Sequence, residues 1–247
     1  MKKNGDNKME CEKVVNTVKP SIALVLVYKN QEIVSKGSGF IFMKKGLLVT
    51  CNHVVPEKEA SIFLKFPTID ELIPAKVSIR DEEHDIALLK FENDALNPLE
   101  RCEESQIKEG MSVTFSGYPL SLFFLTTHQG VLSAVMKDAT GVTTYLIDGT
   151  VNSGNSGCPL MNKDGEVIGI VNAKRREKND LLDKVENMKI GAVSLHGIDI
   201  VEIYQAVIKN VQLGIGYAIS CSYIPGSSDL QKSDTESGGP EERIATT

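Results

Sequence analysis

The chain has no excess of positive charge: 27 lysines and arginines face 33 aspartates and glutamates, giving a formal net charge of −6 and a pI near 5.4. A protein whose main partner is nucleic acid usually carries a basic face, so such a partner is not expected. No apolar run approaches the ~18 residues of a membrane span, so none is expected. Behind Met1, Lys2 and Lys3 there is no apolar stretch of the kind a secretory signal carries, which points to a cytoplasmic protein. The five cysteines (Cys11, Cys51, Cys102, Cys158, Cys221) are odd in number and lack CxxC spacing. That pattern fits reduced thiols in an intracellular protein better than a disulfide framework or a zinc site. Long-period internal repeats are also missing.

What is present is ordinary globular material, 41% hydrophobic and 24% charged over 247 residues, enough for a sizeable core. Residues 1–19 are polar and form a tail with some helical character. From Ser21 short apolar runs follow in quick succession: Ile22–Tyr28, Glu32–Ser35, Gly39–Met43, Gly46–Thr50, Ala60–Phe66, Ala75–Ile79 and Ile86–Phe91. Runs rich in β-branched and aromatic residues, broken by Gly, Pro, Asn and Lys turns, predict a β-barrel or sandwich. Asn93–Glu109 is polar and reads as a connector. A second set follows at Ser112–Ser116, Thr126–Ser133, Thr143–Ile147, Val167–Asn172 and Gly214–Ile219. Between the last two lies a charged segment, then a stretch (Ile200, Ile203, Tyr204, Val207, Ile208) with helical spacing and Asp199 and Glu202 as a candidate capping box. This 174–210 insertion reads either as a helix packed on the second β unit or as a regulatory, partner-binding element. From Pro225 the composition turns to Gly, Ser, Asp, Glu and Pro, the signature of disorder.

The most informative residues are Asn152-Ser-Gly-Asn-Ser-Gly-Cys-Pro-Leu160, which set Ser156 between Gly154 and Gly157. Such a stretch also suits a hairpin turn. A serine hydroxyl becomes a useful nucleophile only with a base to take its proton and N–H donors to hold the oxyanion. Candidates for the remaining groups stand upstream: His53 ends the apolar run of Val49-Thr-Cys-Asn-His-Val-Val55, and Asp85 heads Asp85-Ile-Ala-Leu-Leu89. The order His, Asp, Ser, each at a strand edge, fits a base, the carboxylate that orients it and a nucleophile. Asp81, Glu82 and Glu83 read as a solvated charge run beside Asp85, and His84 as a surface residue.

These three segments resemble the chymotrypsin-like serine proteases, in particular the HtrA/Deg branch, over roughly residues 20–222. The resemblance implies an all-β fold of two six-stranded antiparallel barrels, about 20–95 and 110–222, with the active site between them; the residues themselves add a helical insertion in the second barrel, where relatives have a short loop, and a disordered tail over 223–247. It implies a serine endopeptidase acting on protein or peptide substrates without metal or cofactor, with His53, Asp85 and Ser156 as catalytic residues. The oxyanion hole would be the N–H groups of Gly154 and Ser156. Thr150 would lie at the base of the substrate pocket and Val171, Asn172 and Ala173 on its walls. None of these is acidic, so small or medium aliphatic side chains are expected there. Two further features depart from the family: Cys158 stands where a glycine is usual, and no PDZ-type module fits after residue 222. Residues 1–20 also lack the aromatic segment through which relatives trimerise, which points to a monomer. The alternative reading is a catalytically silent or zymogen-like binding module on the same fold.

Overall fold

The computed structural model describes residues 12–56, 60–120, 122–173, 188, 191, 194–203 and 214–225. Residues 12–18 are helical and run through a 3-10 turn, Lys19–Ser21, into the first barrel. That barrel comprises β1 (Ile22–Lys29), β2 (Glu32–Ile41), β3 (Leu47–Cys51), β4 (Ser61–Lys65), β5 (Ile73–Asp81) and β6 (Ile86–Phe91). It closes in the order β1-β2-β3-β6-β5-β4, with every pair antiparallel. The sequence expectation of two short strands within 32–43 gives way to a single strand, β2, because Gly37 and Gly39 pair in register with Val25 and Ala23 of β1. Ile22–Val27 are all buried, so β1 reads as an unbroken apolar run instead of an alternating one. Bulges between Val27 and Tyr28 and between Val77 and Ile79 bend the sheet toward closure.

The second barrel is built from β7 (Ser112–Gly117), β8 (Thr126–Lys137), β9 (Thr143–Asp148), β10 (Pro159–Met161), β11 (Val167–Val171) and a last strand, Ile215–Ser220. Between β11 and that strand, β12 (Ser194–Leu195) and β13 (Ile198–Asp199) form a two-stranded ribbon, so Ile215–Ser220 is β14. The barrel order is β10-β11-β14-β9-β8-β7. Phe115, Tyr145, Leu160, Ile168 and Ala218 fill its interior, while the first barrel's larger core also takes in Tyr118, Met161 and Ile170 from the second. At about 25 cal/mol per Å² of apolar area, these cores are the main stabilising term.

The connector is less of a loop than its polarity implies. Leu96, Leu99 and Cys102 are buried, Leu99 bridges to Phe42, and Arg101 bridges to Val167 of β11. The insertion is also partly visible. Asp199 Oδ1 accepts from the N–H groups of Val201 (2.8 Å) and Glu202 (3.2 Å), the N-cap read from the sequence. In the turn over 200–203 it is Val201 that is buried, whereas Ile200 and Ile203, the expected inner face, are exposed. Tyr204, Val207 and Ile208 lie outside the described residues, as does nearly all of the C-terminal tail.

Candidate active site

The register of β3 against β6 creates the first half of the site. Cys51 pairs with Ile86, so the residues just after Cys51 face the residue just before Ile86, across a sequence separation of some thirty positions. There β3 gives way to a 3-10 turn, Asn52–Val54, which carries His53 out of the barrel. Asn52 N–H donates to the Asp85 carbonyl (2.9 Å) and His53 N–H to Asp85 Oδ1 (2.9 Å). The imidazole Nδ1 lies 2.6 Å from Asp85 Oδ2. Asp85 adopts φ of +55°, a left-handed conformation that aspartate tolerates better than most residues.

The second half is the turn ahead of β10. Gly157 N–H donates to the Val171 carbonyl (2.8 Å), and Cys158 N–H to that of Asn155 (3.0 Å). Ser38 of β2 clamps this turn from the other barrel: its N–H donates to the Ser156 carbonyl (2.9 Å) and its Oγ to the Gly154 carbonyl (2.7 Å), while accepting from Tyr118 N–H (2.9 Å). The flanking glycines are required sterically. Gly154 and Gly157 have φ of +94° and +87°, and a Cβ would come 2.3 Å from the Tyr118 carbonyl oxygen or 2.1 Å from that of Ser38. Cys158 is not among the residues with positive φ, so its side chain imposes no strain where a glycine is usual. Asn155 is fully buried, and its Oδ1 and Nδ2 have no partner among the described residues, so the turn is held by backbone bonds and by Ser38.

Ser156 Oγ ends up 2.9 Å from His53 Nε2 and accepts from Ala173 N–H at 3.1 Å. Burial pushes the Asp85 carboxyl pKa up, but the hydrogen bonds and charge of His53, helped by Asn172, outweigh it and leave the carboxyl below its ordinary range. An ionised Asp85 can only accept, so Nδ1 carries its hydrogen and Nε2 of a neutral imidazole is free to accept from Ser156 Oγ. Among the described residues neither Gly154 N–H nor Ser156 N–H is given to an acceptor.

Other expected positions take different places. Asn172 is buried and sends Nδ2 to Asp85 Oδ2 (2.8 Å), and Val171 is fully buried in β11. Of the three expected wall residues only Ala173 is part-exposed, and it sits against Ser156. Thr150 is exposed, while the neighbouring Val151 packs on Gly216. His84 is not a plain surface residue: its ring stacks on Tyr223 at 4.0 Å and its Nδ1 bonds Asp81 Oδ2 at 2.7 Å, which removes Asp81 from the solvated run. Ser38, and the tie of Asn172 to Asp85, were not read from the sequence; a serine between two glycines in a strand gives no signal of a contact with another barrel.

Cys51, His53 and Asp85 bring potential metal ligands within 4.8 Å of one another. Nδ1 and the carboxylate are already engaged with each other, however, and the fully buried Cys51 thiol donates to the Val171 carbonyl (3.4 Å), with its pKa raised by burial and then by Asp85 and Cys158. The group therefore reads as a His–Asp pair beside a buried thiol, not as a metal seat. A cavity of about 350 Å³ lined by Met43, Arg101, Cys102, Ser220 and Cys221 contains none of the site residues. The four described cysteines are free and buried, and no described helix is long and apolar enough to cross a membrane.

Two closed antiparallel barrels of this kind, with a serine, a histidine and an aspartate hydrogen-bonded in series where they meet, define a protein of the chymotrypsin-like fold class. The chain belongs to the trypsin-like peptidase domain family, whose model matches residues 37–170. It is 40% identical over 143 residues to a probable periplasmic serine endoprotease DegP-like of Hahella chejuensis, covering 57% of this chain and 30% of that one. It is 33% identical over 171 residues to serine protease HTRA1B of Danio rerio, covering 64% and 35% respectively. The chain thus spans about a third of the length of these curated relatives. The crystal structure of a serine endoprotease from Yersinia pestis shares the fold, with a TM-score of 0.64 at 23% identity, covering 91% of this chain and 66% of that one. The DegP-like relatives are named periplasmic, which does not fit the expectation of a cytoplasmic protein.

Proposed function

We propose that the chain is a serine endopeptidase, its peptidase domain spanning about residues 20–222, that cleaves protein or peptide substrates through an acyl-enzyme. The observation that carries this reading is the unbroken series Asp85 Oδ2 to His53 Nδ1 (2.6 Å) and His53 Nε2 to Ser156 Oγ (2.9 Å), beside two amide donors without acceptors among the described residues. Ser156 Oγ attacks the substrate carbonyl carbon while His53 Nε2 takes its proton; the carbonyl oxygen becomes an oxyanion held by the N–H groups of Gly154 and Ser156. Collapse breaks the C–N bond, the leaving amine takes the proton from His53, and the acyl group stays on Ser156. A water then repeats the sequence and releases the acid. Throughout, Asp85 stays ionised, fixes the tautomer and stabilises the imidazolium, and Asn172 holds Asp85 in place. On the acyl side Ala173 lies against Ser156, and none of Thr150, Val171, Asn172 and Ala173 is acidic, which fits small or medium aliphatic side chains.

A fluorophosphonate probe tests the reading directly. Wild type becomes labelled on Ser156, and Ser156→Ala does not. Absence of labelling under every condition would instead assign the fold to a catalytically silent binding module.

A further inference from the structure

The two most exposed large apolar side chains of the described residues are Phe124 and Phe123, at 76% and 58% relative exposure. With Leu120 and Leu122 (48% and 42%) they occupy one short connection between β7 and β8. Exposed apolar side chains gathered in one connection mark a binding face more often than singly scattered ones do. The connection is fastened to the serine turn: Leu120 N–H donates to the Ser153 carbonyl at 2.6 Å, and the Tyr118 carbonyl lies against Gly154. From the other barrel, Lys36 of β2 places Nζ 5.1 Å from the centre of the Phe123 ring.

Ser156 therefore has two flanks. On one, Ala173 N–H reaches Oγ. On the other, β2 runs past: Ser38 N–H holds the Ser156 carbonyl, and Lys36, two residues earlier, reaches Phe123. An extended substrate cleaved at Ser156 leaves in both directions, its acyl half one way and its amine half the other. With the acyl half along Ala173, the amine half runs over Lys36, Leu120, Leu122, Phe123 and Phe124. An extended chain advances about 3.3 Å per residue, so the first two or three residues after the scissile bond lie over this patch.

We propose that Leu120, Leu122, Phe123 and Phe124, with Lys36, form the binding face for the leaving half of the substrate. The face selects polypeptides with a bulky apolar residue in the first few positions after the cleaved bond, and the Lys36 charge disfavours a basic one. This inference rests on the serine peptidase reading above.

The test uses internally quenched peptides that share one acyl half and carry Leu, Phe, Ser or Lys in the first three leaving-side positions. Fluorophosphonate labelling of Ser156, which involves no peptide leaving half, is measured alongside. The expected kcat/KM is about tenfold higher for Leu and Phe than for Ser, with Lys lowest, the range one apolar group gives in a partly open site. In the double variant Phe123→Ser, Phe124→Ser the preference shrinks to within about twofold, a change that exposed side chains allow without unfolding. Leu72→Ser, an exposed leucine outside the patch, keeps the wild-type preference. A labelled enzyme with a flat leaving-side profile, or a preference that survives the double substitution, overturns this assignment alone. A flat profile with dimerisation lost in the double variant gives the patch to a second copy and also overturns it. An unlabelled wild type overturns the peptidase reading and this assignment with it.

Discussion

Leu120 donates its backbone N–H to the carbonyl of Ser153 at 2.6 Å. The carbonyl of Ser153 and the N–H of Gly154 belong to one planar trans peptide and point in opposite directions. Drawing the carbonyl toward Leu120 therefore turns the Gly154 N–H the other way, where it has no acceptor among the described residues. Leu120 itself adopts φ of +55°, a conformation uncommon for leucine, so this bond is made at some local cost.

Substituting Gly154 follows from that geometry. Gly154→Ala would set a methyl 2.3 Å from the Tyr118 carbonyl oxygen at φ of +94°, so the peptide must rotate and the Gly154 donor is lost. The expected outcome is a fall of about 10²–10³ in the rate of Ser156 acylation, the range for removing one oxyanion donor. Stopped-flow acylation with an activated ester checks this. A rate near wild type would remove Gly154 from the hole.

The depressed Asp85 carboxyl makes stability depend on acid in a definite sense. Its folded pKa lies below the unfolded value of about 3.9, so the stability it contributes is complete above that value and is lost as pH falls through the folded pKa. Thermal unfolding between about pH 2 and pH 6 should show this loss in wild type and a shallower acid dependence in Asp85→Asn. Asn172→Ala removes the 2.8 Å bond to Oδ2, which should move the acid transition to higher pH and cost on the order of 1–2 kcal/mol at neutral pH. Identical acid profiles in wild type and Asp85→Asn would show that other groups govern acid unfolding.

The thiols next to the site should be inert. Burial raises the pKa of both Cys51 and Cys158, and both are fully buried, so native protein should resist alkylation at them near pH 8 and yield only after unfolding. Cys158→Ala should keep fluorophosphonate labelling within about threefold of wild type, since its backbone needs no glycine-specific dihedral. Peptide mapping by mass spectrometry reads the first result, and gel labelling the second. Rapid native alkylation of Cys158 would mean that the turn opens far more than its hydrogen bonds imply.

Most strands were legible because a strand announces itself locally. Ile22–Tyr28 and Ile86–Phe91 are runs whose β-branched and aromatic side chains exclude other readings, and turn residues bracket them. Pro159–Met161 was missed since three residues carry too little pattern, and the strand is fixed by its partners on β7 and β11. The end of the 198–203 segment went astray for a related reason. Asp199 caps its turn as its side chain dictates, but which of Ile200, Val201 or Ile203 turns inward depends on what lies beneath them.

The sequence by itself determined the residues of the hydrogen-bonded series and the need for glycine on both sides of Ser156, because the chemistry of a nucleophile, a base and a carboxylate is tied to side-chain type and local backbone freedom. Only the tertiary structure decided how those groups meet. The register of Cys51 against Ile86 sets His53 beside Asp85, Ser38 reaches from one barrel to hold the serine turn of the other, and Asn172 leaves the expected pocket wall to hold Asp85. Each of these is a contact between residues far apart in the chain, and such contacts follow from barrel closure and packing, which no local pattern encodes.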